Sequence, residues 1–443
     1  MDIKQIRETI ETNGIKTVIV AGTDPAGVLR GKRLTVPYFY HAVEDGLNFA
    51  SYILGTTTMD EVLPGLFDSG IPDMKGVIDL ESFRIAPWED AAAIVFMDWR
   101  TADGATTPLC PRSALKQQVA RARQMGFDAT TSLELEFYLL PIPLTEIRMG
   151  RWANIEPGSK DIHCYSILEG YFWEPIISKI RECFPNEIEA CLPEWGQGQF
   201  EINLYRSDAV SMADNAMLLK LALKQLAAKA GATATFMAKF REDMSGSSGH
   251  IHMSLREREG GRPIFYDENR PLKLSREFEN FVAGQLDVFA PSALFYAPNV
   301  NSYKRLQSMS FAGTTRNWGI DNRTVGYRAI NQSGGKCRLE IRIGGADLNP
   351  YIAIATGLGA GLRGMEKKLQ APPPATGNAY EQETERVPAT LAQAIAATEA
   401  SEGIREILPP ALVDNMLRIA KFELGVFQTT VTDLERRRYL ETV

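Results

Sequence analysis

The chain has 443 residues, 44% of them hydrophobic and 23% charged, with a formal net charge of -7. That length exceeds the size at which a single core stops growing, so two domains are expected of this ordinary globular composition. The acidic balance excludes a basic nucleic-acid-binding surface, and the longest weakly polar stretch, Tyr351 to Leu362, is too short to cross a bilayer.

The N-terminal MDIKQIRETIETNGIKTVIV reads as an amphipathic helix running into a strand, not as a secretory leader. The five cysteines (Cys110, Cys164, Cys183, Cys191, Cys337) form no CxxC pair and no zinc spacing, as expected of reduced thiols in a cytoplasmic protein. Strands are predicted at Thr17–Ala21 and Val28–Leu34 around a turn at Asp24-Pro-Ala-Gly27, then further short strands ending at Ala92–Asp98. Thr101 to Pro108 is a polar connector punctuated by Gly and Pro, which places a domain boundary between residues 1–105 and 106–443.

A helix is predicted over 112–125, with Pro111 before it and Gly126 after it. Beyond it, strands alternate with long helices at about 168–183, 208–231, 275–290, 348–369 and 388–400. Residues 371–377 form an extended Pro-rich loop, and a helical tail runs from about 409 to 442. There is no internal repeat, and parallel βαβ units are not evident, which favours α+β over a doubly wound sheet.

Four predicted strands carry polar pairs at period two: Glu134 and Glu136, Glu201 between Gln199 and Asn203, His250 and His252, and Glu340 with Arg342. Each strand alone could be a solvated sheet face. Together they suggest a sheet curved around a metal-centred site. With Glu194, seven residues before Glu201, they offer five Glu and His250, a set suited to two or three Mg²⁺ or Mn²⁺ ions. Arg305, Arg323, Arg328, Arg338 and Arg342 fall within 38 residues. Guanidinium groups clamp carboxylates and phosphates, so the cluster suggests a nucleoside triphosphate held through a divalent ion; surface ion pairing is the plainer alternative for any one of them. No P-loop and no GxSxG elbow is present, and Gly357-Leu-Gly359-Ala-Gly361 reads as close helix packing.

The motif order resembles that of the glutamine synthetase superfamily. The matching segments are Leu133-Glu-Leu-Glu-Phe137, Glu194 to Glu201, Ser245 to Leu255, Asn301 to Leu306, Asn322 to Arg328, and Arg338 to Arg342 followed by Asp347-Leu-Asn-Pro-Tyr351. Gly31-Lys-Arg33 and Pro87-Trp88 extend the resemblance into the N-terminal part. It implies an α+β chain with a small β-grasp-like N-terminal domain and a catalytic domain built on a curved antiparallel sheet flanked by helices. It also implies stacked rings, as a dodecamer, with sites between neighbouring subunits.

By the same resemblance, Glu136, Glu194 and Glu201 hold the metal near glutamate, and Glu134, His250 and Glu340 the metal on the nucleotide. His252 and Ser254 line the ATP site. Arg323, Arg328 and Arg338 contact phosphates or the transferring phosphoryl group, and Gly246, Arg305 and Arg342 position glutamate. The implied reaction is phosphorylation of the γ-carboxylate by ATP, followed by attack of an amine.

Three positions depart from the family, two of them at the ammonium site. Ala50 stands where an Asp helps bind ammonium, and Phe311, six residues after Arg305, stands where a Glu closes that site. The interval from Arg305 to Arg323 matches the family without a gap, so the second assignment is the firmer. A methyl and a phenyl ring in place of two carboxylates favour an alkyl or aryl primary amine over ammonium, although Glu44, Asp60 or Glu61 could supply an acid. Ser245 also replaces an Asn of the glutamate loop. The alternatives are an authentic glutamine synthetase with a rearranged ammonium site and a catalytically silent relative.

Overall fold

Residues Thr17–Thr23 are apolar on both faces because both faces are covered. The computed structural model describes residues 1–443, the side chains of Leu66 and Ser69 excepted. Its first sheet comprises β1 (Thr17–Thr23), β2 (Leu29–Thr35), β3 (Leu47–Ala50), β4 (Asp73–Ile78), β5 (Arg84–Ile85) and β6 (Ala92–Arg100). Their spatial order is β2-β1-β6-β4-β3, with β5 on β6, and only the central β1–β6 pair is parallel. Val18 and Val20 of β1, with Val95 and Trp99 of β6, face a core closed by the helices Ile3–Thr12 and Val36–Asp45. The alternate residues Ile19, Ala21, Ile94 and Phe96 pack into the main core of the molecule. Strands buried on both faces are continuously apolar for this reason.

The expectation of only short strands between Leu34 and Ala92 is corrected by the helix Val36–Asp45. Pro37 presets its first turn, and Phe39 and Ala42, three apart, bury one face.

The second sheet has nine strands. They are β7 (Phe127–Leu140), β8 (Ile188–Pro193), β9 (Gln199–Leu204), β10 (Ser207–Asp208), β11 (Thr233–Thr235), β12 (Gly249–Glu257), β13 (Trp318–Ile320), β14 (Tyr327–Ile330) and β15 (Arg338–Ile341). The order is β13-β14-β15-β12-β7-β9-β8, with β10 and β11 also on β7. Only β13–β14 is parallel. One face of this curved sheet (Leu133, Leu135 and Phe137 of β7, Ile251 and Met253 of β12, Leu339 and Ile341 of β15) joins the main core with the helices Ala209–Lys229, Arg276–Asp287 and Pro350–Glu366. The α+β reading of the sequence holds.

Glycines set the contact between the helices Arg276–Asp287 and Pro350–Glu366. A Cβ on Gly361 would stand 2.0 Å from the Phe281 ring, and one on Gly364 2.7 Å from the Gly284 Cα. The helix predicted over 275–290 is instead two, Arg276–Asp287 and Phe289–Tyr296, with Val288 at φ -111 and ψ 24 between them. Pro291 lacks a backbone N–H and so tolerates only a first-turn position, which the second helix provides. No helix among the described residues is long and apolar enough to cross a membrane.

Candidate active site

The polar faces of the central strands meet because the ladder register aligns them. Glu134 of β7 is opposite His250 of β12 and Asn203 of β9, and Glu136 is opposite Glu201. His252 is opposite Glu340 of β15, and Glu340 opposite Arg328 of β14. A period-two pattern on five adjacent strands thus becomes one continuous polar surface.

Two cavities open on that surface, and both touch Glu134 and Asn203. The larger, about 1010 Å³, is lined by Glu134, Glu136, Glu194, Glu201, His250 and Glu340, with Gly246, Phe311, Arg323, Arg328 and Arg342 on its remaining walls. The smaller, about 600 Å³, is lined by His252, Ser254, Arg206, Arg256, Lys336 and Arg338. One chamber is acidic at its floor and the other basic.

The acidic floor is electrostatically unsatisfied. One ligand atom from each of Glu136, Glu194 and Glu201 lies within 4.8 Å of the others. Burial and neighbouring carboxylates push Glu136 up to about 7 and Glu201 up to about 9; burial also raises Glu194. Their protein partners are neutral: Glu136 accepts from Ser248 N at 2.7 Å and Gln199 Nε2 at 3.2 Å, and Glu201 from Asn203 Nδ2 at 2.8 Å. Crowded carboxylates with no bonded cation form a donor set that fits a hard divalent ion.

Glu134 and Glu340 behave in the opposite way. Burial opposes ionisation of both, yet His252 and His250 hold Glu134 well below the usual range, and Arg342 and the imidazoles hold Glu340 at about 2. Glu134 Oε1 lies 2.9 Å from His252 Nε2, and Glu134 Oε2 lies 3.5 Å from His250 Nδ1. Glu340, fully buried, pairs with Arg342 and, at 2.9 Å, with Arg328 Nη1. Burial and the Arg342 charge push His250 down to about 4, so it is neutral and able to ligate; its Nε2 has no hydrogen-bond partner.

Residues 108–439 match the glutamine synthetase catalytic domain. The chain belongs to the glutamine synthetase family. It is 37% identical to a glutamate–isopropylamine ligase of a Pseudomonas species, over 100% of this chain and 98% of that one. It is 35% identical to type-1 glutamine synthetase 2 of Dictyostelium discoideum, over 96% and 84%. The fold is that of ligand-free GmaS, with a TM-score of 0.87, 26% identity and 99% of each chain covered.

Within this ligase of the glutamine synthetase family, the geometry sorts the sequence-derived candidates. Glu136, Glu194 and Glu201 form one potential metal triad. Glu134 groups with His252 and Glu340 in a second, and with His250 and Glu201 in a third, so Glu134 belongs to two of the three. His250 Nδ1 is 3.7 Å from Glu340 Oε1. Arg323 is exposed at the rim of the larger cavity, and Arg338 faces the smaller one with Nε 3.3 Å from His252 Nδ1.

Arg342 faces the larger cavity, but Arg305 lies behind its wall. Arg305 donates to Ile343 O at 2.8 Å and Ser248 Oγ at 2.9 Å, and its charge bears on Glu136 from there. Gly246 must be glycine, since a Cβ would stand 2.5 Å from Arg305 Cγ and 2.9 Å from Ala238 O. Phe311 lines the larger cavity, whereas Ala50, half-buried on β3, lines neither, and neither do Glu44, Asp60 or Glu61.

Sequence reasoning passed over Ser248, Trp195, Met309 and Tyr165. Ser248 acts through its backbone N–H, which no side-chain motif reports. The other three line the larger cavity as large apolar side chains between the polar motifs.

Proposed function

We propose that the protein is an ATP-dependent ligase that joins the γ-carboxylate of L-glutamate to an alkyl or aryl primary amine, through a γ-glutamyl phosphate. The observation that carries this reading is the pair of chambers meeting at Glu134, one floored by a carboxylate cluster with Arg342 on its wall, the other lined by Arg206, Arg256, Lys336 and Arg338. A phosphate chain and an amino-acid carboxylate reach each other where those chambers join.

In the first step an oxygen of the γ-carboxylate attacks the γ-phosphorus of ATP, and the bond to the bridging oxygen breaks to release ADP. In the second the amine lone pair attacks the acyl carbon, the C–O bond to phosphate breaks, and one N–H proton is lost with inorganic phosphate. Dividing the reaction this way replaces a poor leaving group with a good one. Glu134, Glu136, Glu194, Glu201, His250 and Glu340 would hold two or three Mg²⁺ or Mn²⁺ ions. Such ions supply charge neutralisation and orientation of the phosphate oxygens. Arg323, Arg328 and Arg338 meet phosphate charge, with His252 and Ser254 on the nucleotide side. Arg342 and the backbone at Gly246 meet glutamate, and Arg305 positions that wall from behind.

Phe311 supports an amine over ammonium: it places a phenyl ring, not an acid, on the wall of the acidic chamber. Ala50 bears on the amine only if a neighbouring copy brings β3 to this chamber, as the expected assembly into stacked rings, a dodecamer, would do. Mass photometry tests that assembly; a monomer at working concentration overturns it. The activity test is phosphate release with ATP, glutamate and ammonium, methylamine, isopropylamine, ethanolamine, putrescine or aniline. An alkylamine or arylamine is expected to exceed ammonium at equal free-base concentration. Ammonium ranking first rejects the amine assignment, and equal rates with and without glutamate reject the ligase.

A further inference from the structure

Trp195 follows the metal-ligand candidate Glu194 in the turn between β8 and β9. Its backbone is tied on both sides to the cavity wall: its N–H donates to Glu194 Oε2 at 2.9 Å, and its carbonyl accepts from Ser245 Oγ at 2.6 Å. The indole is left to project. It lines the larger cavity yet is 55% exposed. Across from it, the Phe311 ring stands edge-on at a centroid distance of 6.4 Å and 69°, itself 53% exposed.

The opposing segment is held in place at some cost. Met309 and Phe311 both take left-handed backbone conformations, φ 64 and φ 57, which residues bearing a Cβ avoid. Arg342 Nη2 donates to Phe311 O at 3.1 Å, and Tyr380 OH donates to Ala312 O at 2.9 Å. A bulky side chain fixed in such a backbone, and pointed at a second half-bare aromatic, is an unfilled apolar surface. Neither glutamate nor a nucleotide phosphate gains from it, since both present charge to the arginines and carboxylates of the same chamber. The remaining substrate is the amine.

We infer that Trp195, with Phe311 and Met309, selects the amine by burying an apolar substituent, so that branched alkyl or aryl amines are preferred to methylamine. This rests on the ligase reading above. Each buried methylene is worth about fourfold in kcat/KM, so the two carbons separating isopropylamine from methylamine favour the former by about fifteenfold.

The experiment is kcat/KM for methylamine, isopropylamine and aniline in the full-length enzyme and in Trp195→Ala and Trp195→Phe. In the wild type the isopropylamine-to-methylamine ratio is expected near tenfold or above. In Trp195→Ala it is expected to fall at least fivefold, mostly through KM, and Trp195→Phe is expected to retain most of it. A ratio unchanged within twofold in Trp195→Ala overturns the inference while leaving the ligase intact. A parallel loss for both amines also overturns it, because that is the signature of an aromatic cage recognising charge. If no amine exceeds ammonium in the wild type, it is the ligase reading for amines that has failed. Should Trp195→Ala not fold, Met309→Ala on the facing wall carries the same comparison.

Discussion

Glu136, Glu194 and Glu201 stand within 4.8 Å of one another and, among the described residues, no lysine or arginine bonds any of them. Their folded-state values lie above the ordinary Glu value of about 4.3, with Glu136 near 7 and Glu201 near 9. A carboxyl whose folded value is raised favours the fold most below its unfolded value and loses that contribution as pH climbs through the folded one. The metal-free protein should therefore lose stability between about pH 5 and 9. A divalent ion that displaces these protons should raise Tm more at pH 8.5 than at pH 6.5. Thermal shift with Mn²⁺ or Mg²⁺ at the two pH values checks this; an equal gain at both would count against the cluster as the metal site. Glu136→Ala, which removes one ligand, is expected to lower ATP- and glutamate-dependent phosphate release by at least a hundredfold. Glu136 and Glu201 are legible in the sequence because period-two polar spacing recurs on four strands, and Glu194 through its seven-residue spacing from Glu201 across a Gly-rich turn. Trp195 is not, since one aromatic in a Gly-rich turn carries no period.

At the level of elements, the strands that build the site follow from alternation, because each has one apolar and one polar face. The helix Val36–Asp45 escapes that logic. Its VPYFYHAVED sequence is rich in aromatic and β-branched residues, and only the contact of Phe39 and Ala42 with the first sheet decides for helix. The pairing of helices Arg276–Asp287 and Pro350–Glu366 rests on glycine and is testable. Gly361→Val puts methyl groups into the Phe281 ring and should cost about 3 kcal/mol, the upper end of the usual range for overpacking. Denaturant unfolding measures it, and a cost under about 1 kcal/mol would show that the helices move apart easily.

At the scale of the whole molecule, Arg112, on the helix Pro111–Gln124, ties the first sheet to the helix Ala209–Lys229. It is 3% exposed and bonds Asp214 through Nε and Nη2, both at 2.9 Å, and through Nη1 reaches Asp79 at 2.8 Å and Asp98 at 3.0 Å. Lys116 Nζ completes the group on Asp79 at 2.9 Å and Asp98 at 2.6 Å. Arg112→Ala leaves the buried Asp214 carboxylate without a cation, while Asp79 and Asp98 keep Lys116, and should destabilise by about 3–5 kcal/mol. Unfolding followed by tryptophan fluorescence checks it; a loss below about 1 kcal/mol would make the network decorative. Nothing in the sequence announces these partners, which lie 14, 33 and 102 residues from Arg112. The same is true of Ala50, whose distance from both chambers is a property of the assembled fold.

Glu134 has two oxygens and serves two chambers, one turned toward His252 and the other toward His250. Occupancy of the chambers is then thermodynamically linked. Whatever factor a cation or nucleotide on one side imposes on affinity at the other must be returned unchanged when the order of addition is reversed. Titrating metal with and without bound nucleotide, and nucleotide with and without metal, should close that cycle, and Glu134→Gln should bring the factor toward one. One side chain shared between the chambers is thus the shortest route by which either could sense the other.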